Sequence, residues 1–158
     1  MAKLKFNQLE LALKEFRRKS RKLPLILGNK ARNHFRKSFL DEGFTDGSLQ
    51  KWQEVDRRKK GTRAYKYPKK KDLSRRRRGI LRKSGALMRS INVLKHNFNS
   101  IVVGSKGIPY AEVHNDGGRA GRRGKQFKMP KRQFIGNSSN LEKEMEKRIM
   151  NEIDKIFK

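Results

Sequence analysis

The sequence predicts an α+β fold: N-terminal helices, a small antiparallel β-sheet, and a C-terminal amphipathic helix packed on that sheet. Three observations carry this expectation. Apolar residues recur at helical spacing near both ends of the chain. Two short runs rich in Ile, Val and Leu, at 91–96 and 100–105, flank the turn-prone linker Asn97-Phe98-Asn99, which is the pattern of a hairpin. Glycine, aspartate and proline clusters separate these segments. A chain of 158 residues is expected to form one domain over 1–158, with a basic insert at about 57–79 and a basic glycine-rich loop at about 117–128.

The first helix is expected over 3–19, where Phe6, Leu9, Leu13 and Phe16 share a face and Arg17 to Lys19 place positive charge at the dipole's negative end. Pro24 suits a break or the start of a second helix, which runs through Ile26, Ala31, Phe35 and Phe39, with Gly28 a weak point near its start. Asp41 to Ser48 is a turn cluster, and Phe39, Phe44 and the single tryptophan, Trp52, lie close around it. That grouping predicts a loop folded back on the core by aromatic packing.

Composition changes sharply at Arg57. Between there and Lys83, 15 of 27 residues are Lys or Arg, and Asp72 is the only acid. So few apolar side chains and so much like charge predict a mobile loop or arm. After the 91–105 hairpin, Pro109 to Asn115 reads as one or two helical turns ended by Gly117-Gly118. Arg119 to Lys128 reads as a loop, and Met129 to Ile135 as a further strand edged by Pro130. Gly85, Gly104, Gly117 and Gly118 are expected to supply backbone angles closed to other residues. The C-terminal helix opens on Ser139 and Glu142 at capping-box spacing and presents Leu141, Met145, Ile149, Ile153, Ile156 and Phe157 as one stripe. Leu81, Leu87, Ile91, Val102, Tyr110, Val113 and Phe134 are expected to build the body of the subunit.

Charge narrows the function. Lys plus Arg number 43 against 15 Asp plus Glu, a formal net charge of +28, so the cations cannot all be paired within the chain. Such a molecule attracts polyanions and repels itself. With no cysteine, disulfides, thiolate chemistry and cysteine-based zinc sites are excluded. No run reads as a signal peptide or membrane span, so no membrane partner is expected and the chain is expected in the cytoplasm of the cell that makes it. His34, His96 and His114 are too scattered for a metal site, and Glu112, His114 and Asp116 on a helical turn point in different directions. Gly104 to Gly107 lacks the spacing of a phosphate loop. No catalytic residue, metal or cofactor is expected.

The expected contact residues are basic. In the insert they are Arg57, Arg58, Lys59 and Lys60, then Lys69, Lys70 and Lys71, then Arg75, Arg76, Arg77 and Arg78. In the glycine-rich loop they are Arg119, Arg122, Arg123 and Lys125. They suit nucleic-acid phosphates, met without base readout, or an acidic protein surface. Tyr65 and Tyr67 are a weak hint of base stacking, and no known nucleic-acid module fits the chain.

One ordered cassette remains. It runs Leu81-Arg82-Lys83-Ser84-Gly85-Ala86-Leu87, then Val103-Gly104, then Tyr110-Ala111 with His114 and Gly117, then Pro130-Lys131-Arg132-Gln133-Phe134-Ile135-Gly136. In order and type it resembles the phage virion morphogenesis family, the tail-completion or neck proteins of Mu-like tailed phages. The chain departs from the family pattern at Asn115, at Lys131 and in the length and charge of the insert. The resemblance implies a small α+β subunit without enzymatic activity, acting in tail completion or neck assembly at the head–tail junction. It implies a homo-oligomeric ring, hexamer or dodecamer, around the channel for packaged DNA, with other neck, connector and tail proteins as neighbours. It gives Leu81, Arg82, Ser84, Gly85, Leu87, Gly104, Tyr110, Ala111, His114, Gly117, Pro130, Arg132 and Phe134 structural roles. The rival reading is a free nucleic-acid-binding protein, ribosome-associated or nucleoid-like.

Overall fold

The computed structural model describes residues 6–68 and 78–157. Helix α1 (Phe6–Lys19) leads into α2 (Leu23–Asp41), and hairpin β1 (Gly43–Asp46)–β2 (Ser48–Lys51) follows. A short α3 (Arg63–Lys66) lies in the basic block. Then come α4 (Ala86–Ser90), β3 (Ile91–His96), β4 (Ile101–Ser105), α5 (Ala111–Asp116), β5 (Gly118–Arg122), β6 (Lys125–Met129) and α6 (Ser139–Phe157). The strands form three separate antiparallel pairs, β1–β2, β3–β4 and β5–β6. Together with the helices this is the expected α+β fold.

Helix α2 is the spine, meeting β1, β3, β4, α4 and α6. Pro24 sits in its first turn, where the missing N–H costs nothing. Gly28, a weak point in the helical pattern, has a packing reason. A Cβ there would lie 2.9 Å from Val93 Cγ1 and 3.3 Å from Ile101 Cγ2, so its absence lets the β3–β4 hairpin lie directly on the helix. Arg36 fixes the same hairpin, its guanidinium donating to the carbonyls of Ile91 and Arg89 at 3.1 Å each.

The core gathers below the other end of α2. Phe39 and Ile91 are fully buried, and Phe134, Ile80, Phe44, Leu87, Trp52 and Leu141 close around them. Phe39 meets Trp52 edge-on at 5.5 Å and Phe134 at 5.1 Å between ring centroids. Trp52 Nε1–H donates to the Gln133 carbonyl at 2.7 Å, so its one polar atom is satisfied as the ring is buried. The predicted aromatic trio is therefore core, brought there by a hairpin rather than a loop.

Several expectations are corrected. Residues 129–135 are not a strand beyond Met129, because their N–H groups go elsewhere. Arg132 N–H donates to the His114 carbonyl (2.8 Å), and those of Phe134 and Ile135 go to Asn115 Oδ1 (2.9 and 3.0 Å). The glycine-rich segment expected as a loop is the hairpin β5–β6, paired from Gly118↔Met129 to Arg122↔Lys125. Gly85, Gly117 and Gly118 adopt positive φ as expected, but Gly104 does not. Val102 and Tyr110, expected in the body, are 44% and 45% exposed. On α1, Leu9 and Leu13 stay 62% and 50% exposed, so that part of the predicted stripe is open to solvent, while Phe16 meets the Phe98 ring at 6.2 Å.

The cap of α6 is one residue earlier than the spacing suggested. Ser138 Oγ accepts from Leu141 N–H at 3.2 Å and donates to the Thr45 carbonyl at 2.8 Å. Ser139 N–H and Oγ–H both donate to Asp46 Oδ1 (2.9 and 3.0 Å), which sets a carboxylate at the positive end of the helix. The β1–β2 turn and the helix start are thus fastened to each other. Ser138→Ala is expected to cost about 1–2 kcal/mol, the usual range for a lost cap, while Ser139→Ala, at an exposed position, costs under about 1 kcal/mol. Urea unfolding of the two variants checks the order.

Candidate functional site

The first, third and last pieces of the cassette contribute residues between 81 and 132 to one half-open cleft of about 620 Å³. Ile80, Leu81, Ala86 and Leu87 form its apolar floor, with Val55 beside them. Tyr110 and His114 of the α5 region stand at one side, ring edge to ring face at 5.7 Å. Arg57, Arg78, Arg82, Lys83 and Arg132 bring cations to it, and among the described residues no carboxylate lines it.

The sequence builds this cleft from tight turns. Gly85 takes φ 72° and Leu81 takes φ 59°. A non-glycine residue in that left-handed region costs roughly 1–2 kcal/mol, so Leu81 is held there by its surroundings. A single carboxylate does much of the holding. Glu42, itself left-handed at the end of α2, accepts from Ile80 N–H at 2.9 Å and from Arg58 Nη1 at 2.8 Å on both oxygens. Its backbone carbonyl takes Trp52 N–H at 2.8 Å. Burial pushes the Glu42 carboxyl up, but the Arg58 and Ile80 hydrogen bonds outweigh it and hold the group below its ordinary value.

Arg132 is the least expected cation. It is only 6% exposed, and its guanidinium reaches one acceptor, the Gln53 carbonyl, at 3.2 and 3.4 Å. No carboxylate lies within ion-pairing distance of it among the described residues. Burial, the dominant influence on it, lowers its pKa, and the more distant Glu54 and Asp56 oppose that. His114 packs nearby, with Nδ1 buried and without a hydrogen-bond partner among the described residues. Burial first and the Arg132 charge second hold its imidazole below the ordinary value, which favours the neutral ring.

The predicted contact residues separate into groups. Arg57 and Arg58, expected as contact residues, are engaged inside the chain. Arg57 donates to the carbonyls of Arg78 and Gly79 at 3.0 and 3.1 Å, and Arg58 pairs with Glu42 and Glu54. Residues 57–68, expected as open arm, carry turns and α3, capped by Thr62. Lys59 pairs loosely with Asp56 at 3.8 Å, and Lys60 is exposed. Lys69, Lys70, Lys71, Arg75, Arg76 and Arg77 lie outside the described residues. Of the family-motif residues, Phe134 is core and Ala111 packs against it. Pro130 borders a shallower hollow with Arg132, while Gly104 lies in β4, away from the cleft.

Arg119, Arg122, Arg123 and Lys125 stand exposed on β5–β6, a ribbon paired only with itself among the described residues. Its register sets Arg119 opposite Lys128 and Arg122 opposite Lys125. Like charges directly across a ladder are destabilising, so the ribbon folds despite them and gains from any anion placed between them. Only Ala120↔Phe127 is an apolar pair, with Phe127 54% exposed.

Sequence reasoning missed Glu42, Arg58 and Asn115 as organisers. Asn115 had a local signal, a short amide at a helix end that can replace backbone partners. Glu42 had none, since its partners Arg58 and Ile80 lie 16 and 38 positions away.

Glu42→Gln is expected to destabilise the fold by about 1.5–3 kcal/mol at pH 7, the range for hydrogen bonds to a charged group. Because its folded pKa lies below 4.5, that advantage is present above this value and fades as pH falls through the folded one, which urea unfolding at a series of pH values measures. His114 and His34 act in the opposite protonation state, both held below 6.5 chiefly by burial. The unfolded chain then binds protons first, so stability falls as pH drops below 6.5 toward the folded values. Denaturant midpoints measured across that window are expected to fall less steeply in His114→Gln.

Against this geometry the comparisons with known proteins stand as follows. No curated protein and no solved structure matches the chain. The model of the phage virion morphogenesis family matches residues 4–154.

Proposed function

The chain belongs to the phage virion morphogenesis family, and from that premise we propose that it is a structural subunit completing the tail or neck of a tailed phage at the head–tail junction. Membership itself gives a role in phage structure and assembly, association with the virion and contact with other virion proteins. No helix among the described residues is long and apolar enough to cross a membrane.

The finer reading is a homo-oligomeric ring, of six or twelve copies, around the channel that packaged DNA passes through, working without a reaction of its own. The observation that carries it is the match over nearly the whole chain, from 4 to 154, rather than over one short motif. The β5–β6 ribbon supports the DNA-facing part. It projects paired cations with no carboxylate partner among the described residues, and a two-stranded ribbon is narrow enough to approach a duplex. Phosphate contact of this kind carries no sequence information, as suits a channel that must pass any genome.

Cryo-electron microscopy of purified virions tests the placement: density for this chain is expected in a ring between head and tail, and its absence there rejects the proposal. Replacing Arg119, Arg122, Arg123 and Lys125 together by Gln is expected to leave thermal stability equal or raised, because cross-strand repulsion is removed. The same variant is expected to reduce the salt dependence of duplex binding by about 0.9 in log–log slope for each phosphate that it no longer neutralises. A steep slope for an isolated monomer, with no ring under any condition, favours the free nucleic-acid-binding protein instead.

A further inference from the structure

We propose that the cleft between Ile80, Leu87 and Arg132 is a docking site for an acidic segment of a neighbouring virion protein, one that carries an apolar side chain among its carboxylates. The inference rests on the assembly reading above for the kind of partner, and on the cleft itself for its chemistry.

Three features point to that occupant. The first is the floor: Ile80 and Leu87 are 2% and 3% exposed, and Leu81 and Ala86 add half-buried apolar surface around the opening. A cleft of about 620 Å³ with such a floor holds one or two apolar side chains. The second is the charge around it. Arg82 and Lys83 are exposed at the rim, and among the described residues neither has an ion pair and no carboxylate lines the wall. The third is Arg132. A guanidinium so deeply buried, sharing a single backbone carbonyl, is incompletely compensated, and desolvated cations are costly until an anion meets them. The Nε and Nη2 edge of the guanidinium is taken by the Gln53 carbonyl, which leaves Nη1 and the second N–H of Nη2 for a carboxylate.

A peptide satisfies all three features together. Nucleic acid satisfies the rim alone: its phosphates are not accompanied by aliphatic groups, and a duplex backbone does not reach a guanidinium that is 6% exposed. A second copy of this chain is the poorer match, because each copy brings a formal charge of +28. An acidic partner also relieves the self-repulsion that such a charge imposes on a closed ring.

The test is a titration of the full chain, followed by methyl NMR of Ile80 and Leu87. The probe is a short capped peptide of aspartates around a central leucine-phenylalanine pair. Its controls are the same peptide with asparagine for aspartate, the same peptide with alanine for the two apolar residues, and a duplex and a single-stranded oligonucleotide. The aspartate peptide is expected to shift both methyl groups and to saturate. Both altered peptides are expected to bind at least tenfold more weakly, a loss of about 1.4 kcal/mol or more. Arg82→Ala with Lys83→Ala, both exposed and so tolerated by the fold, is expected to weaken binding about tenfold, while Lys147→Gln on the outer face of α6 leaves it unchanged. Arg132→Gln is expected to abolish binding, and the rim variant decides the matter if that protein does not fold. No shift at Ile80 and Leu87 under saturating peptide overturns the proposal. So does equal binding of the asparagine peptide, or a stronger response of these methyls to either oligonucleotide. None of those results changes where the chain sits in the virion, which microscopy decides separately.

Discussion

One carboxylate organises this molecule. Glu42 ends α2 in a left-handed turn, holds Arg58, receives the Ile80 N–H and, through its own carbonyl, fixes Trp52. Three other points of the chain therefore depend on this one residue, two through its carboxylate and one through its carbonyl. In a chain with 15 acids against 43 cations, each internal carboxylate is scarce. Placing one where the basic block returns to the body turns repulsive sequence into folded structure. From that point Trp52 is carried onto Phe39 and the Gln133 carbonyl, and Ile80 into the core beneath the cleft.

The remaining positive charge is distributed unevenly. Arg36, Arg57 and Arg58 bind carbonyls and carboxylates inside the chain, where they act as cross-links between segments. Among the described residues, the cations of the ribbon β5–β6 and Arg82 and Lys83 at the cleft rim have no ion pair. On the ribbon the cations face one another across the ladder on a self-supporting pair of strands. In the cleft they surround apolar surface. These are different chemistries, one suited to a phosphate backbone and one to a peptide, and they occur on different elements. The proposed subunit, standing between passing DNA and neighbouring proteins, needs both kinds of surface.

The order of the cassette follows from geometry. Its first piece supplies the turn and floor of the cleft, its third piece the α5 wall, and its last piece both Arg132 and the core anchor Phe134. The links between pieces are hydrogen bonds from the 132–135 backbone to His114 and Asn115, which stand in place of the strand pairing expected there. The Asn115 that departs from the family pattern is the residue that makes two of them.

The sequence by itself determined the elements whose cause is local. The α2 and α6 helices, the 91–105 hairpin, the helical turn after Pro109 and the aromatic identity of the core were legible because periodicity, proline and glycine act over a few residues. Charge composition likewise pointed to an anionic partner. Tertiary structure decided everything that depends on which distant group meets which. It chose Ser138 over Ser139 as the cap because Thr45 and Asp46 hold both serines, and it turned a glycine-rich basic stretch into a ribbon. It left the α1 stripe open and buried Arg132 beside a cleft that no run of residues spells out. The physical reason is the same in each case: a backbone or charged group takes the partner that folding brings within about 3 Å, and sequence spacing does not encode that distance.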